Sequence, residues 1–313
     1  ITTVLKNQLR EKKLSHAYLF VGSRGTGKTT CAKLLAKAVN CLELDDGNPC
    51  GRCDHCVGID NASLLDVIEI DAASNNGVDD IRQLREEAVF TPGTANYRVY
   101  IIDEVHMLSN SAFNALLKIL EEPPKHVIFI LATTEIHKVL ATIVSRCQRF
   151  DFHRIETGLI KERLLEIAQR QSITVQDDAA ELIARLSDGG MRDALSLLDV
   201  CSAYSNNIDV EVVQNAVGIA GAKHLLNLCD AVIAQDTGLM IERLNMLLSG
   251  SLEPQRLCEQ LIGHYRNLML VKTVKNPVNI VGCLASELDM LNQQCKKLAL
   301  SQIMMGLTSL QDC

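Results

Sequence analysis

The sequence predicts an α/β domain with a parallel, helix-covered sheet, followed by helical domains. Short apolar strand patterns alternate with helical patterns through the first half of the chain, which is typical of a parallel sheet. A glycine-rich turn joins the first strand to its helix, a second signal of this fold class. After residue 153 the strand patterns stop, and helical periodicity continues to the end. The strands are predicted near 17–21, 67–71, 99–103, 127–131 and 147–152.

The chain opens with a predicted helix over 1–14 and a buried strand, and the next turn has the P-loop pattern. It reads Gly22-Ser23-Arg24-Gly25-Thr26-Gly27-Lys28-Thr29 and leads into a helix. Backbone N–H groups of such a loop, together with the helix N-terminus, bind phosphates. Lys28 can reach the β- and γ-phosphates, and the Thr29 hydroxyl can bind the accompanying Mg²⁺. The predicted nucleotide-binding residues are Gly22, Ser23, Arg24, Gly25, Thr26, Gly27, Lys28, Thr29 and Thr30.

Four cysteines follow this helix at the spacing C-x8-C-x2-C-x2-C. They are Cys41, Cys50, Cys53 and Cys56. Two C-x2-C steps place three thiolates on one tight turn, and the first cysteine can complete a tetrahedron, so the pattern predicts a closed structural Zn²⁺ site. His55 lies between the ligands and is expected to point to solvent. The other eight of the 12 cysteines are interpreted as small core residues.

Two acidic residues end the buried strand at 99–103. In P-loop proteins a carboxylate at this position holds Mg²⁺ and a second one can activate water, so Asp103 is assigned to the metal and Glu104 to the water.

Before this strand, a strand at 67–71 leads to a helix over 78–89 that carries Arg82. A solvated charged face and a nucleic-acid contact are equally compatible with this arginine.

A helix capped by Ser109 or Asn110 and stopped by two prolines leads to the strand at 127–131. The hydroxyls after it, Thr133 and Thr134, are equally compatible with a γ-phosphate contact and with a plain turn. The last strand follows Arg146.

Beyond residue 153, helices are predicted in two groups. The first group is 157–171, 178–187, 192–204 and 209–217, and the second is 225–234, 238–249, 253–272, 285–291 and 293–310. Arg192 opens one of these helices, where the helix dipole favours anions rather than cations. Some other anion is therefore expected to hold it.

Composition limits the possible functions. The chain has 313 residues, 47% hydrophobic and 22% charged, which suits two or three globular domains. No apolar run approaches a membrane span, and the polar start is unlike a signal peptide, so a cytoplasmic protein is expected. The net charge of −7 argues against a protein that binds nucleic acid through its overall charge. Any DNA contact must therefore be local or shared with partner subunits.

Taken together, these stretches resemble the clamp-loader ATPases of bacterial DNA polymerase III, which are AAA+ proteins. The resemblance is carried by the P-loop, the cysteine knuckle, Ile102 to Leu108, Leu116 to Pro124, Ser145-Arg146-Cys147 and Met191-Arg192-Asp193-Ala194. It implies an AAA+ domain at 1–152 with a zinc knuckle at 41–56, a helical lid at 153–218 and a helical collar at 219–313.

The resemblance also implies roles and partners. Thr134, or less favourably Thr133, is similar to the first sensor of the γ-phosphate, and Arg192 to the second. Arg146 is similar to an arginine finger that acts in trans on a neighbour's nucleotide, and Arg82 to a residue facing primer-template DNA. The implied partners are the other subunits of a five-subunit ring, the sliding clamp and the DNA polymerase, and the cofactors are ATP, Mg²⁺ and structural Zn²⁺. The family pattern extends ahead of Ile1, where adenine contacts lie, and the collar is expected to be incomplete at Cys313.

Two other classes of function compete with the clamp-loader ATPase. A non-catalytic structural subunit of the loader would have lost the lysine or the acidic pair, and both are intact here. A branch-migration helicase would lack the cysteine knuckle.

Overall fold

The computed structural model describes residues 1–217, 222–249, 254–274 and 285–311. These residues form two compact units, which are described separately. The first unit contains 1–156 together with 189–193, and the second contains the described residues of 157–188 and 194–313.

The first unit is built on one five-stranded parallel sheet. Its strands are β1 (Ala17–Gly22), β2 (Val67–Asp71), β3 (Arg98–Asp103), β4 (Val127–Thr133) and β5 (Gln148–Phe152), in the order β2-β3-β4-β1-β5. Its helices are α1 (Thr2–Glu11), α2 (Lys28–Asn40), α3 (Asp54–Asp60), α4 (Val78–Ala88), α5 (Asn110–Glu121) and α6 (Ala141–Val144). The predicted parallel sheet is confirmed, with strand ends within two residues of those expected.

Both faces of the sheet are covered, which explains the unbroken apolar strands. On one face Leu19, Ile102 and Leu131 pack against α4 and α5, and on the other face Tyr18 and Phe20 pack against α1 and α2. Because all five strands run in one direction, their carboxyl ends form a single edge. Gly22, Asp103 and Thr133 therefore end their strands at that edge.

Two buried polar side chains fix the loop at the opposite edge, between α4 and β3. The Asp66 carboxylate accepts hydrogen bonds from the backbone N–H groups of Gly93, Thr94 and Ala95 at 3.0 to 3.1 Å. The Asn40 side chain donates to the Tyr97 carbonyl and accepts from the Tyr97 N–H, at 3.0 and 2.8 Å. Both residues satisfy backbone groups that the sheet leaves unpaired.

Replacing Asp66 by asparagine should destabilise the first unit. Burial opposes its charge, but the hydrogen bonds from Thr94, Ala95 and Gly93 hold the pKa of the Asp66 carboxyl below its ordinary value. In asparagine, an NH2 group would replace one carboxylate oxygen and would face backbone N–H groups that need an acceptor. We therefore expect a loss of about 1–3 kcal/mol in the free energy of unfolding at pH 7. Urea unfolding followed by circular dichroism measures it.

The destabilisation caused by Asp66→Asn should depend on pH in a direction that follows from the lowered pKa of Asp66. A carboxyl with a lowered folded-state pKa stabilises the fold above its unfolded pKa and loses that effect as the pH falls through its folded pKa. The difference between wild type and Asp66→Asn should therefore shrink on acidification. Asp79→Asn, at an exposed ion pair with Arg82, is the matched control and should stay near wild type; a constant Asp66 difference at all pH values would contradict the assignment.

The second unit is helical, with one small sheet. Its elements are α7 (Thr157–Arg170), β6 (Thr174–Val175), α8 (Asp177–Leu186), α9 (Met191–Tyr204, whose first three residues belong to the first unit), β7 (Asn207–Ile208), α10 (Val210–Val217), α11 (Ala222–Ile233), α12 (Thr237–Ser249), α13 (Pro254–Thr273), α14 (Ala285–Lys297) and α15 (Leu300–Gln311). No helix among the described residues is both long enough and apolar enough to cross a membrane.

Two expectations for this unit are wrong. Strands do not stop at residue 153, since β6 and β7 pair in parallel through two residues each; so short a pairing has no sequence period to detect. The expected helix break near residue 292 is misplaced: α14 continues through it to Lys297, and the break comes instead before α15, which begins at Leu300 and so divides the predicted helix 293–310. Leu291 and Cys295 both pack against Leu268, and exposed Asn292 simply lies on the outer face of this helix.

Candidate nucleotide-binding site and cysteine cluster

The P-loop connects β1 to α2 by a backbone path that needs glycine. Gly27, the residue before α2, has φ 93° and ψ 17°, a left-handed conformation that side chains with a Cβ disfavour. A Cβ at Gly22 would lie 2.3 Å from the Phe152 carbonyl oxygen. The neighbouring strand therefore leaves room only for glycine where the loop begins.

Lys28 is buried within its own loop. Its Nζ donates to the carbonyl oxygens of Gly22 and Ser23, at 2.8 and 2.9 Å. Burial lowers the pKa of the Lys28 ammonium, against the opposing charges of Glu104 and Asp103. Phosphate oxygens fit this position because they are stronger acceptors than the two carbonyls they would replace.

Oxygen ligands suited to a divalent cation lie beside this lysine. The Thr29 hydroxyl donates to Asp103 Oδ2 at 2.6 Å, and Asp103 Oδ1 accepts the N–H of Glu104 at 2.9 Å. A threonine hydroxyl next to a carboxylate at a strand end is the donor set that P-loop proteins use for Mg²⁺. These two residues therefore fit the cation expected with a nucleotide.

Glu104 and Thr134 meet at the same edge. The Thr134 hydroxyl and N–H donate to Glu104 Oε2, at 3.0 and 3.3 Å. Glu104 has φ 48°, and such conformations in residues other than glycine concentrate at functional sites. Thr133 differs from its neighbour, since it is fully buried and its hydroxyl bonds to His106 Nδ1 and to the Glu135 N–H, both at 3.0 Å.

His106 and Glu135 are site residues that the sequence reasoning did not identify. The His106 side chain is 7% exposed and lies close to both Glu104 and Glu135. Its position two residues after the acidic pair is the signal that could have drawn attention to it.

The start of α9 contacts the P-loop. The N–H of Met191 donates to the Gly25 carbonyl at 3.0 Å, and residues 189–193 belong to the same unit as the loop. Arg192 is the second residue of this helix and is exposed. The segment that carries the arginine is therefore brought next to the phosphate-binding loop.

Arg146 makes its side-chain contacts within its own region. Its Nη2 lies 2.8 Å from Glu121 Oε1, and its Nη1 donates to the Thr142 carbonyl at 2.8 Å. All its hydrogen bonds among the described residues are with α5, α6 and Ser145. Arg82 forms an exposed ion pair with Asp79 at 3.0 Å, which does not distinguish a solvated face from a DNA contact.

The four predicted zinc ligands come together. The Sγ atoms of Cys41, Cys50, Cys53 and Cys56 all lie within 4.8 Å of one another, and those of Cys41 and Cys56 are 3.7 Å apart. A tetrahedral Zn²⁺ site with bonds of about 2.3 Å requires sulfur separations of about 3.8 Å. The thiol set therefore fits zinc in size and in chemistry.

The expectation that His55 points to solvent is wrong. His55 is 8% exposed, and its Nδ1 lies 2.7 Å from the Asn40 carbonyl oxygen. The cause is α3, which begins at Asp54 and turns this ring towards the end of α2. Lys37 of α2 also pairs with Asp60 of α3 at 2.5 Å, so the cysteine region is fixed to the P-loop helix.

The cysteines outside the cluster differ in burial. Cys201, Cys229 and Cys295 are buried, in agreement with a core role. Cys31 and Cys147 are partly buried and pack against the two core clusters of the sheet, and Cys258 is partly buried. Cys283 and Cys313 lie outside the described residues.

Three family models match consecutive parts of the chain. They are described as DNA polymerase III, delta subunit, for residues 1–156; DNA polymerase III clamp loader subunit, ATPase lid domain, for 159–207; and DNA polymerase III subunits gamma and tau domain III, for 208–307.

Curated relatives have matching descriptions. The DNA polymerase III subunit tau of Bacillus subtilis is 52% identical over 276 residues, which are 87% of this chain and 49% of the relative. The gamma/tau subunit of Mycobacterium tuberculosis H37Rv is 36% identical over 304 residues, 95% of this chain and 53% of the relative. The chain thus spans about half the length of these relatives. Among solved structures, a point mutant of Thermotoga maritima RuvB has a TM-score of 0.50 at 18% identity, with 74% of each chain covered, which is a likeness of fold.

Proposed function

Since the chain belongs to the family of DNA polymerase III gamma/tau subunits, we propose that it is an ATPase subunit of a bacterial replicative clamp loader. ATP binding and hydrolysis would drive opening of the sliding clamp and its placement on primed DNA. The observation that carries this proposal is the convergence of Lys28, Thr29, Asp103, Glu104 and Thr134 at one edge of the sheet.

Each residue has a defined task in this proposal. Bound ATP with Mg²⁺ supplies the phosphoryl group and the charge that the site must stabilise. Lys28 would exchange the Gly22 and Ser23 carbonyls for phosphate oxygens, and the oxygens of Thr29 and Asp103 would hold the cation. Glu104 accepts a proton from the attacking water. Thr134 holds Glu104 and senses the γ-phosphate.

Two arginines complete the site in different ways. The segment at the start of α9 contacts the P-loop, which supports Arg192 as the second sensor within the same chain. Arg146 contacts only its own region among the described residues, which supports a role towards a neighbouring subunit. A finger supplied in trans requires an assembled ring to stabilise the transition-state charge.

The remaining assignments follow from the same family. We propose a nucleotide-binding domain at 1–152, a lid at 153–218 and a collar at 219–313, with the collar joining five subunits. The proposed partners are the other ring subunits, the sliding clamp, primer-template DNA contacted by Arg82, and the DNA polymerase. Such a subunit works where the chromosome is copied, in the bacterial cytoplasm.

ATP hydrolysis by the reassembled complex tests the function. Primed DNA together with the clamp should stimulate hydrolysis more than either does alone. A complex that hydrolyses no ATP would instead indicate a structural subunit. Stimulation by a branched DNA junction without the clamp would indicate a branch-migration motor.

Removal of the proposed zinc should loosen the cysteine region first. The four thiolates connect the end of α2 to α3, so a strong chelator should release about one Zn²⁺ per chain. Amide hydrogen exchange over 41–60 should then accelerate, because the four thiolates would no longer be joined through the metal. Cys53→Ser should give the same exchange pattern, whereas Cys258→Ser, outside the cluster, should retain the metal. A zinc-free protein with unchanged exchange would contradict this assignment.

A further inference from the structure

His106 lies inside the candidate site, although the proposed chemistry gives it no task. It occupies the short 3-10 turn Val105–Met107, directly after Glu104. Its Nδ1 lies 3.0 Å from Thr133 Oγ1 and 3.3 Å from Glu104 Oε2. Its Nε2 lies 3.4 Å from Glu135 Oε1. One buried ring therefore joins the end of β3 to the end of β4 and to the turn that follows it.

The Glu104 carboxylate needs such support. Its backbone leaves the strand in a left-handed conformation, and a free glutamate side chain would lose substantial rotamer entropy on being held in one geometry. Among the described residues, the Thr134 hydroxyl and N–H donate to Oε2 of this carboxylate, and His106 Nδ1 lies 3.3 Å from the same oxygen. The other oxygen, Oε1, is thereby left available to accept a hydrogen bond from an attacking water.

The ring itself is fixed from both sides. Thr133, which faces Nδ1, also accepts the N–H of Glu135. Glu135, which faces Nε2, pairs with Lys138 at 2.9 Å. Groups that fix the far side of an imidazole orient the nitrogen that acts on the site.

We propose that His106 is a positioning residue for the general base Glu104, with Glu135 fixing the orientation of its ring. The inference rests on the proposed ATPase function and deepens it. His106 contacts neither the P-loop nor the proposed metal ligands through any hydrogen bond or ion pair of the described residues. It therefore acts on the hydrolytic step and leaves nucleotide binding alone.

Kinetics of the assembled complex separate this role from a structural one. His106→Ala should lower kcat for clamp- and DNA-stimulated ATP hydrolysis by about 10- to 100-fold, the usual effect of losing a group that orients a site residue. KM for ATP and the dissociation constant of a fluorescent ATP analogue should stay at their wild-type values, and Tm is recorded because deleting this buried ring also removes packing.

Two conservative variants distinguish the two ring nitrogens. In His106→Asn the side-chain amide takes the place of Nδ1 and can donate to Glu104, so most of the lost kcat should return. In His106→Gln the amide reaches towards Glu135 instead, so kcat should stay low. His137→Ala is the matched control, since His137 also lies 3.4 Å from Glu135 but is 72% exposed; its kcat should equal that of the wild type.

Each possible failure has a separate meaning. Wild-type kcat in His106→Ala, equal rescue by Asn and Gln, or a fall in Tm and ATP affinity that accounts for the lost rate would overturn the positioning role. Lys28→Ala is measured in the same assay. If it also retained full hydrolysis, the proposed ATPase function itself would fail; if it lost hydrolysis while His106→Ala did not, only the inference on His106 would fail.

Discussion

Lys28→Ala should reduce ATP hydrolysis by the assembled complex about 100- to 1,000-fold, the range expected for removing one preorganised charge from a transition state. The ammonium is already buried and held in the loop by two carbonyls, so phosphate oxygens need only replace these two acceptors to contact it. ATP affinity should fall as well, because the same charge acts in the ground state. Steady-state hydrolysis and fluorescent-nucleotide binding measure the two effects.

The control for this variant lies one turn further along the same helix. Lys33 is partly exposed and pairs with Glu69 at 2.7 Å, so Lys33→Ala changes the charge of α2 without touching the loop. Its hydrolysis should match that of the wild type. Since Lys28→Ala also leaves two carbonyls without their donor, its Tm must be recorded. A variant that keeps its Tm and its hydrolysis would show that the loop does not act on ATP.

Arg146→Ala should lower hydrolysis about 1,000-fold or more, the range known for arginine fingers, while leaving nucleotide binding to its own chain unchanged. Glu121 and Thr142 contact the Arg146 guanidinium, so this side chain is already held in one position. Arg149→Ala is the control, because Arg149 is a nearby surface arginine paired only with Asp151 among the described residues. Its hydrolysis should stay near wild type.

Mixing the two variants gives a decisive test of action in trans. A ring of Lys28→Ala subunits has fingers but no working loops, and a ring of Arg146→Ala subunits has loops but no fingers. When both are assembled together, the finger of the first can serve the loop of the second, so part of the hydrolysis should return. If the mixture stayed as inactive as its components, Arg146 would not act on a neighbour.

Most of the sheet and its ligand edge could be predicted because the signals are local. The apolar strands, the glycines before Lys28 and the acidic pair at the end of β3 are each recognised from residues that are close together in the sequence. The structure then brings Thr29 onto Asp103 and Thr134 onto Glu104, contacts that follow once the strands are parallel.

The features that could not be predicted depend on contacts between distant segments. The burial of His55 depends on where the end of α2 lies, and the place of His106 depends on the end of β4, 27 residues later in sequence. The two-residue strands β6 and β7 are formed by pairing alone. In each case the residue type is compatible with several environments, and only the tertiary partner selects one.

Asn40 has a consequence for the order in which the first unit folds. This fully buried residue is bonded through its side chain to Tyr97, 57 positions away, and through its carbonyl to His55, 15 positions away. A partly folded chain with α2 packed but either segment missing would leave a buried polar group unpaired, at a cost of about 1–3 kcal/mol. Such intermediates are therefore penalised, which favours the joint formation of α2, the cysteine region and the segment around Tyr97.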